Sequence, residues 1–155
     1  MTMDVVLRAV IDSDLPIFFE HQQDPEAIAM AAFPSREREA HMVHWARIMA
    51  DPSNLLRTIL VDGQVVGNLV SWDGMDGREV GYWVGREFWG RGIATRALRL
   101  FLSEAQTRPL IAHVARHNIA SRRVLEKCGF VVTGVAGVLP GPAAEPVAEL
   151  TMRLG

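Results

Sequence analysis

The chain has 155 residues, enough for one domain with a sizeable core, and its 16 Lys and Arg against 18 Asp and Glu leave a net charge of −2 at pH 7. That balance argues against a general nucleic-acid binder, and no apolar run approaches the ~18 residues of a membrane-spanning helix. The opening Met-Thr-Met-Asp-Val-Val-Leu-Arg lacks the basic head and apolar stretch of an export signal. Cys128 is the only cysteine, so no internal disulfide forms and a reducing cytoplasm is the expected setting. His21, His41, His44, His113 and His117 fall into no ligand spacing with cysteine or carboxylates, so no metal site is expected; His41 and His44 read as helix surface.

In chain order, Val5 to Val10 is a first strand. Asp12-Ser-Asp-Leu-Pro opens a helix that Asp12 or Ser13 caps, with Pro16 in its first turn and Leu15, Phe18 and Phe19 on its apolar face. Asp24-Pro-Glu begins a short helical stretch through Phe33, stopped by Pro34. Ser35 is the expected cap of a longer helix to Ala50, with Met42, Trp45, Ile48 and Met49 turned inward. This region reads either as the wall of a substrate cleft or as plain core, with Phe33, Trp45 and Met49 assigned to core.

Leu55–Val61 and Gln64–Trp72 are strands joined by Asp62-Gly63, the strongest hairpin signal in the chain. Residues 73–77 form a loop into a strand over 79–84, where Val80, Tyr82 and Val84 alternate with Glu79, Gly81 and Trp83. These three strands form an antiparallel meander. The chain then turns through Gly85, Gly90 and Gly92 into a helix whose stripe is Ile93, Ala97, Leu98, Phe101 and Leu102. A strand at 110–114 follows, parallel to 79–84 because a helix crosses between them. A helix starts at Asn118 and ends at Gly129, and strands over 130–138 and 147–153 flank a Pro/Gly-rich loop, 139–146. The sum is one α+β domain over residues 1–155 with a mixed sheet of about seven strands.

Two features of this layout carry chemistry. A turn built on Gly90 and Gly92 lets a ligand approach the backbone, and the helix after it begins with N–H groups that lack internal partners and suit a phosphate. The same turn also reads as an ordinary tight strand-to-helix connection. Charge is divided too: residues 86–127 hold nine basic and three acidic residues, while the rest of the chain holds 7 basic against 15 acidic. This asymmetry fits a polyanion on the later segment and a cation near the acidic remainder, or simply solvated helix faces.

The layout and two motifs resemble the GCN5-related N-acetyltransferase (GNAT) superfamily over nearly the whole chain. Gly81-Tyr-Trp-Val with Phe88-Trp-Gly-Arg-Gly-Ile-Ala-Thr95 is similar to the family's acetyl-CoA pyrophosphate motif, and Asn118-Ile-Ala-Ser-Arg-Arg-Val-Leu-Glu-Lys-Cys-Gly-Phe130 to its second cofactor motif. The wording of both is nearest the branch of ribosomal-protein N-terminal alanine acetyltransferases. The resemblance implies a mostly antiparallel sheet with helices on both faces and a splay between strands four and five. It implies acetyl-CoA as cosubstrate, no metal, and transfer to a primary amine, small-molecule or peptide, with no nucleic-acid or membrane partner. Backbone groups of Trp83 and Val84 would pair with the pantetheine arm. The turn Trp89, Gly90, Arg91, Gly92, with Ile93, Ala94 and Thr95, would hold the pyrophosphate, and Asn118 the pantetheine. Two positions depart from the family pattern: Trp89 replaces the usual Gln or Arg, and Leu125 replaces a Tyr that protonates the leaving thiolate. Ser121 is the stand-in acid, or else a helix cap. Glu79 is the expected base, or else an exposed strand residue paired with an arginine on the next strand; His113 is a second choice. A non-catalytic acetyl-CoA sensor is the alternative, a nucleotide site is disfavoured for want of a Gly-Lys-Ser/Thr ending, and oligomeric state, a homodimer included, stays open.

Overall fold

The structure is a computed structural model that describes residues 3–140 and 145–155. Its elements are β1 (Val5–Arg8), α1 (Leu15–Gln22), α2 (Pro25–Ala31), α3 (Arg38–Ala50), β2 (Leu55–Val61), β3 (Gln64–Gly74), β4 (Gly77–Val84), α4 (Ile93–Glu104), β5 (Leu110–Ala115), α5 (Ile119–Lys127), β6 (Val131–Pro140) and β7 (Pro146–Leu154). The seven strands form one sheet in the order β1-β2-β3-β4-β5-β7-β6. Only β4 and β5 are parallel; every other pairing is antiparallel.

Side-chain alternation divides the sheet into two packed faces. On one, Val80 and Val84 of β4, Leu110, Ala112 and Val114 of β5, and Leu150 and Met152 of β7 pack on Ile93, Ala97, Leu98 and Phe101 of α4 and Leu125 of α5. The α4 stripe follows the helical period, and Ala97, Leu98 and Phe101 have no accessible surface. The other face carries Leu15 and Phe18 of α1 and Trp45 of α3, with Val65 and Val70 of β3 against them; the Phe18 and Trp45 rings lie 5.0 Å apart. A buried ion pair anchors α1: both Asp14 carboxylate oxygens take guanidinium N–H bonds from Arg8, at 2.7 and 2.8 Å, and Thr58 of β2 donates its hydroxyl at 2.6 Å.

Several local expectations change. Neither Asp12 nor Ser13 caps the first turn; Asp14 accepts the Ile11 N–H at 3.0 Å instead. The long helix starts at Arg38 behind Glu37 rather than at Ser35. β3 and β4 run on to leave only Met75 and Asp76 between them, so the expected 73–77 loop is a tight turn. Phe33 is 42% exposed, under the Arg36 guanidinium rather than in the core. His41 is 1% exposed, because its Nε2 bonds the Leu15 carbonyl at 2.9 Å and ties α3 to α1; it is not a surface residue. The central residues of the expected 139–146 loop, 141–144, lie outside the described residues. Among the described residues no helix is long and apolar enough to cross a membrane.

Candidate active site

β4 and β5 pair only through Arg78↔Leu110 and Glu79↔Ile111. Beyond that point they part, and the gap opens into a cleft of about 480 Å³ between β4, the turn after it, α5 and α2. The ladder phase decides what β4 offers to the gap. Gly85 N–H bonds the Val66 carbonyl at 2.9 Å, and the β3–β4 register is unbroken from Gly67↔Val84 to Gly74↔Gly77. Antiparallel alternation then directs the N–H and C=O of Trp83 to Asn68 on β3 and those of Tyr82 and Val84 to the gap. The main-chain partner expected of Trp83 is thus its neighbour Tyr82. The Trp89 indole N–H occupies the Val84 carbonyl at 2.9 Å.

At the wide end the chain turns through Gly90 (φ 78°) and Gly92 (φ 75°), both in the left-handed region. A Cβ at either would meet nothing within 4 Å, so conformation rather than crowding requires glycine there. Gly92 is the N-cap of α4, with no side chain bonded to the first turn and no acid in it. Among the described residues no side chain is hydrogen-bonded to the N–H groups of Ile93, Ala94 and Thr95, which begin this 12-residue helix.

Of the residues expected around a cofactor, Trp83, Val84, Trp89, Gly90, Gly92, Ile93, Ala94, Thr95 and Asn118 all line this cleft. Arg91 does not; its guanidinium lies 6.0 Å from the centre of the Phe88 ring. Asn118 is the N-cap of α5, accepting the Ser121 N–H at 3.2 Å through Oδ1, which leaves its amide donors for the cleft. Ser121 also lines the cleft and is not the cap. Its Oγ lies 2.6 Å from the Tyr82 hydroxyl. Burial pushes that phenol up to about 12, against the opposing pull of the Ser121 bond.

Tyr82 is the functional candidate that sequence reasoning passed over. The signal was its place in the alternation, two residues before Val84 and on the same face. Three residues of α2 (Ala27, Met30 and Ala31) and the cations Arg123 and Lys127 of α5 also line the cleft. Those cations were legible only as part of the basic excess of residues 86–127.

Glu79 does not line the cleft. It stands at the closed end, on the face opposite α4, with its side chain 14% exposed, and its partner is not an arginine. Its Oε1 lies 3.1 Å from His113 Nε2 across the β4–β5 pair. Among the described residues no group of three or more His, Cys, Asp or Glu gathers closely enough to hold a metal.

A family model described as an acetyltransferase (GNAT) domain matches residues 4–131. YdaF of Bacillus subtilis (strain 168), provisionally named a ribosomal N-acetyltransferase, is 33% identical over 107 residues, 64% of this chain and 58% of that protein. The match thus spans little more than half of that relative's length. Two solved structures share the fold. One is yncA from Salmonella typhimurium, an acetyltransferase by provisional name, with its cofactor acetyl-CoA: TM-score 0.80 and 18% identity over 97% of this chain and 92% of that one. The other is spermidine N-acetyltransferase from Vibrio cholerae in complex with CoA and spermine: TM-score 0.78 and 17% identity over 96% and 95%.

Proposed function

The chain belongs to the GNAT acetyltransferase family, and on that premise we propose that it moves an acetyl group from acetyl-CoA to a primary amine by direct attack on the thioester. The observation that carries this reading is the geometry of the gap. Two strands part after one short ladder, main-chain groups of Tyr82 and the Val84 N–H face the opening, and the opening leads to the uncapped start of α4. An extended amide-bearing arm fits such a gap as an added strand would, and a diphosphate fits the helix start. The cations of α5 add to that field.

The attacking amine must be neutral. An α-ammonium near ~8 gives up its proton more readily than a lysine near ~10.4, which favours a protein N-terminus or a small amine of low basicity. Glu79 takes that proton, directly or through one water. The N–H groups that β4 turns to the gap stabilise the oxyanion. With its hydroxyl pushed up to about 12, Tyr82 keeps its proton and acts as a hydrogen-bond donor. Ser121 Oγ accepts that bond and turns its own O–H to the departing thiolate as a hydrogen-bond donor, which Leu125 cannot do, and the thiolate takes its proton from solvent. The names of the relatives point to two acceptor classes, a ribosomal protein and a polyamine, and the proposal covers both, acting in the cytoplasm as a monomer or homodimer.

Thermal unfolding with acetyl-CoA, CoA, ATP and NAD tests the binding half. Acetyl-CoA and CoA are expected to stabilise by about 2.7 kcal/mol at a hundredfold excess over Kd, and ATP and NAD not at all. A shift with ATP or NAD in place of CoA sinks the reading. Thiol release with spermine and an alanine-initiated peptide tests the transfer half. Binding without release from any amine would leave an acetyl-CoA sensor.

A further inference from the structure

Glu79 of β4, His113 of β5 and Thr151 of β7 stand in a row across three strands on the α1–α3 face, with the His113 ring in polar contact with both neighbours. His113 Nε2 lies 3.1 Å from Glu79 Oε1, and His113 Nδ1 lies 3.4 Å from Thr151 Oγ1. The register places His113 opposite Thr151, and the two ring nitrogens therefore point to opposite neighbours. Both ends of the Glu79–His113 pair are largely shielded, with side chains 14% and 23% exposed. The second Glu79 oxygen extends over Gly74 of β3, where any Cβ would overlap it. Gly74 thus makes room for the carboxylate that His113 holds.

Resting on the reading of this cleft as an acetyltransferase site, we propose that His113, locked by Thr151, is a positioning residue that presents Glu79 to the acceptor amine with one oxygen held and the other free. A carboxylate only accepts hydrogen bonds, so it selects the tautomer with a proton on Nε2. Nδ1 is then an acceptor, and the Thr151 hydroxyl donates to it. Oε1 is committed to His113, and Oε2 forms the new O–H bond as the amine's N–H bond breaks.

Few other charges intrude on the row. On the same face, β7 carries Glu149 and Arg153, two residues to either side of Thr151, with Arg153 turned to the Gly155 carbonyl. From β4, Arg78 faces the other way, onto Ser71 and Asp73. From β6, Thr133 offers an uncharged hydroxyl, bonded to the Thr151 carbonyl. His21 of α1 and His117 of the β5–α5 loop belong to the open end of the gap, where they bond through Trp83 and Ala29.

Two measurements test the row. Two-bond proton–nitrogen correlation of the ¹⁵N-histidine-labelled protein reports the tautomer without any substrate. The Nε2–H form is expected in the wild type and a tautomer mixture in Thr151→Val; an Nδ1–H form in the wild type overturns the proposal. Single-turnover transfer to spermine and to an alanine-initiated peptide reports function. His113→Leu is expected to slow it about tenfold, the cost of one hydrogen bond to a charged group. His113→Gln, whose amide replaces Nε2–H, is expected to stay within about threefold. Equal rates in the wild type and His113→Leu, or equal losses in Leu and Gln, overturn it. Failure of acetyl-CoA binding would instead strike the acetyltransferase reading and leave the tautomer result standing.

Discussion

On the α4–α5 side of the sheet the cleft is furnished mainly by main chain: the amides opening α4, the ladder groups of Tyr82 with the Val84 N–H, and two left-handed glycines. On the α1–α3 side, outside the cleft lining, side chains are held by other side chains, Glu79 by His113 and His113 by Thr151, and the helices there are anchored by Asp14 between Arg8 and Thr58. A main-chain site needs only the right turn at the right place and tolerates varied side chains around it. A side-chain site needs three or four strands in register before any of its atoms meet.

The comparison breaks if the two faces cannot be separated by mutation. The largest expected effect is on the shared core: Phe101→Ala should lower stability by about 3–5 kcal/mol in urea unfolding, since the ring is fully buried beneath α4. A cost under about 1 kcal/mol would mean that the α4 face is not the one that holds the sheet. Next comes Glu79→Gln, expected to slow single-turnover transfer about a hundredfold while leaving the acetyl-CoA thermal shift intact. Loss of that shift would show that base and donor sites are not independent.

The smallest expected effect sharpens the α1–α3 side. Burial raises the Asp14 carboxyl, but the bonds from Arg8, Thr58 and Ile11 outweigh it and hold the group below the usual carboxylate range. A group lowered by folding binds its proton more readily in the unfolded chain. Its contribution is therefore complete above about pH 4 and is lost as pH falls through the lower folded value. Asp14→Asn should cost about 2 kcal/mol at pH 7 and flatten the acid end of the stability curve. An unchanged acid slope would show that Asp14 gains nothing from Arg8.

Reading the chain in order recovered all seven strands and the turn before α4, because each rests on a local signal: period two in 79–84, period 3.6 in 93–102, Asp62-Gly63, and the paired glycines at 90 and 92. It misjudged positions whose environment comes from elsewhere in the chain. His41 looked like a surface residue until the Leu15 carbonyl, 26 residues away, was found against it. Phe33 looked like core, yet α2 ends in a left-handed Ala32 that turns the chain outward. The competing readings, an arginine partner for Glu79 and a capping role for Ser121, failed because neither His113 nor Tyr82 is a sequence neighbour of the residue it touches.

The sequence by itself determined the turn that bares the α4 amides, the element order and the sign of the charge beside the cleft, since backbone conformation and periodicity are set by residues within one or two turns of each other. Only the tertiary structure decided that β7 slips between β5 and β6, that Tyr82 rather than Trp83 turns its main chain to the gap, and that His113 stands between Glu79 and Thr151. Those facts depend on register across strands up to about 70 residues apart in the chain, and a shift of one residue would turn each of these side chains to the opposite face.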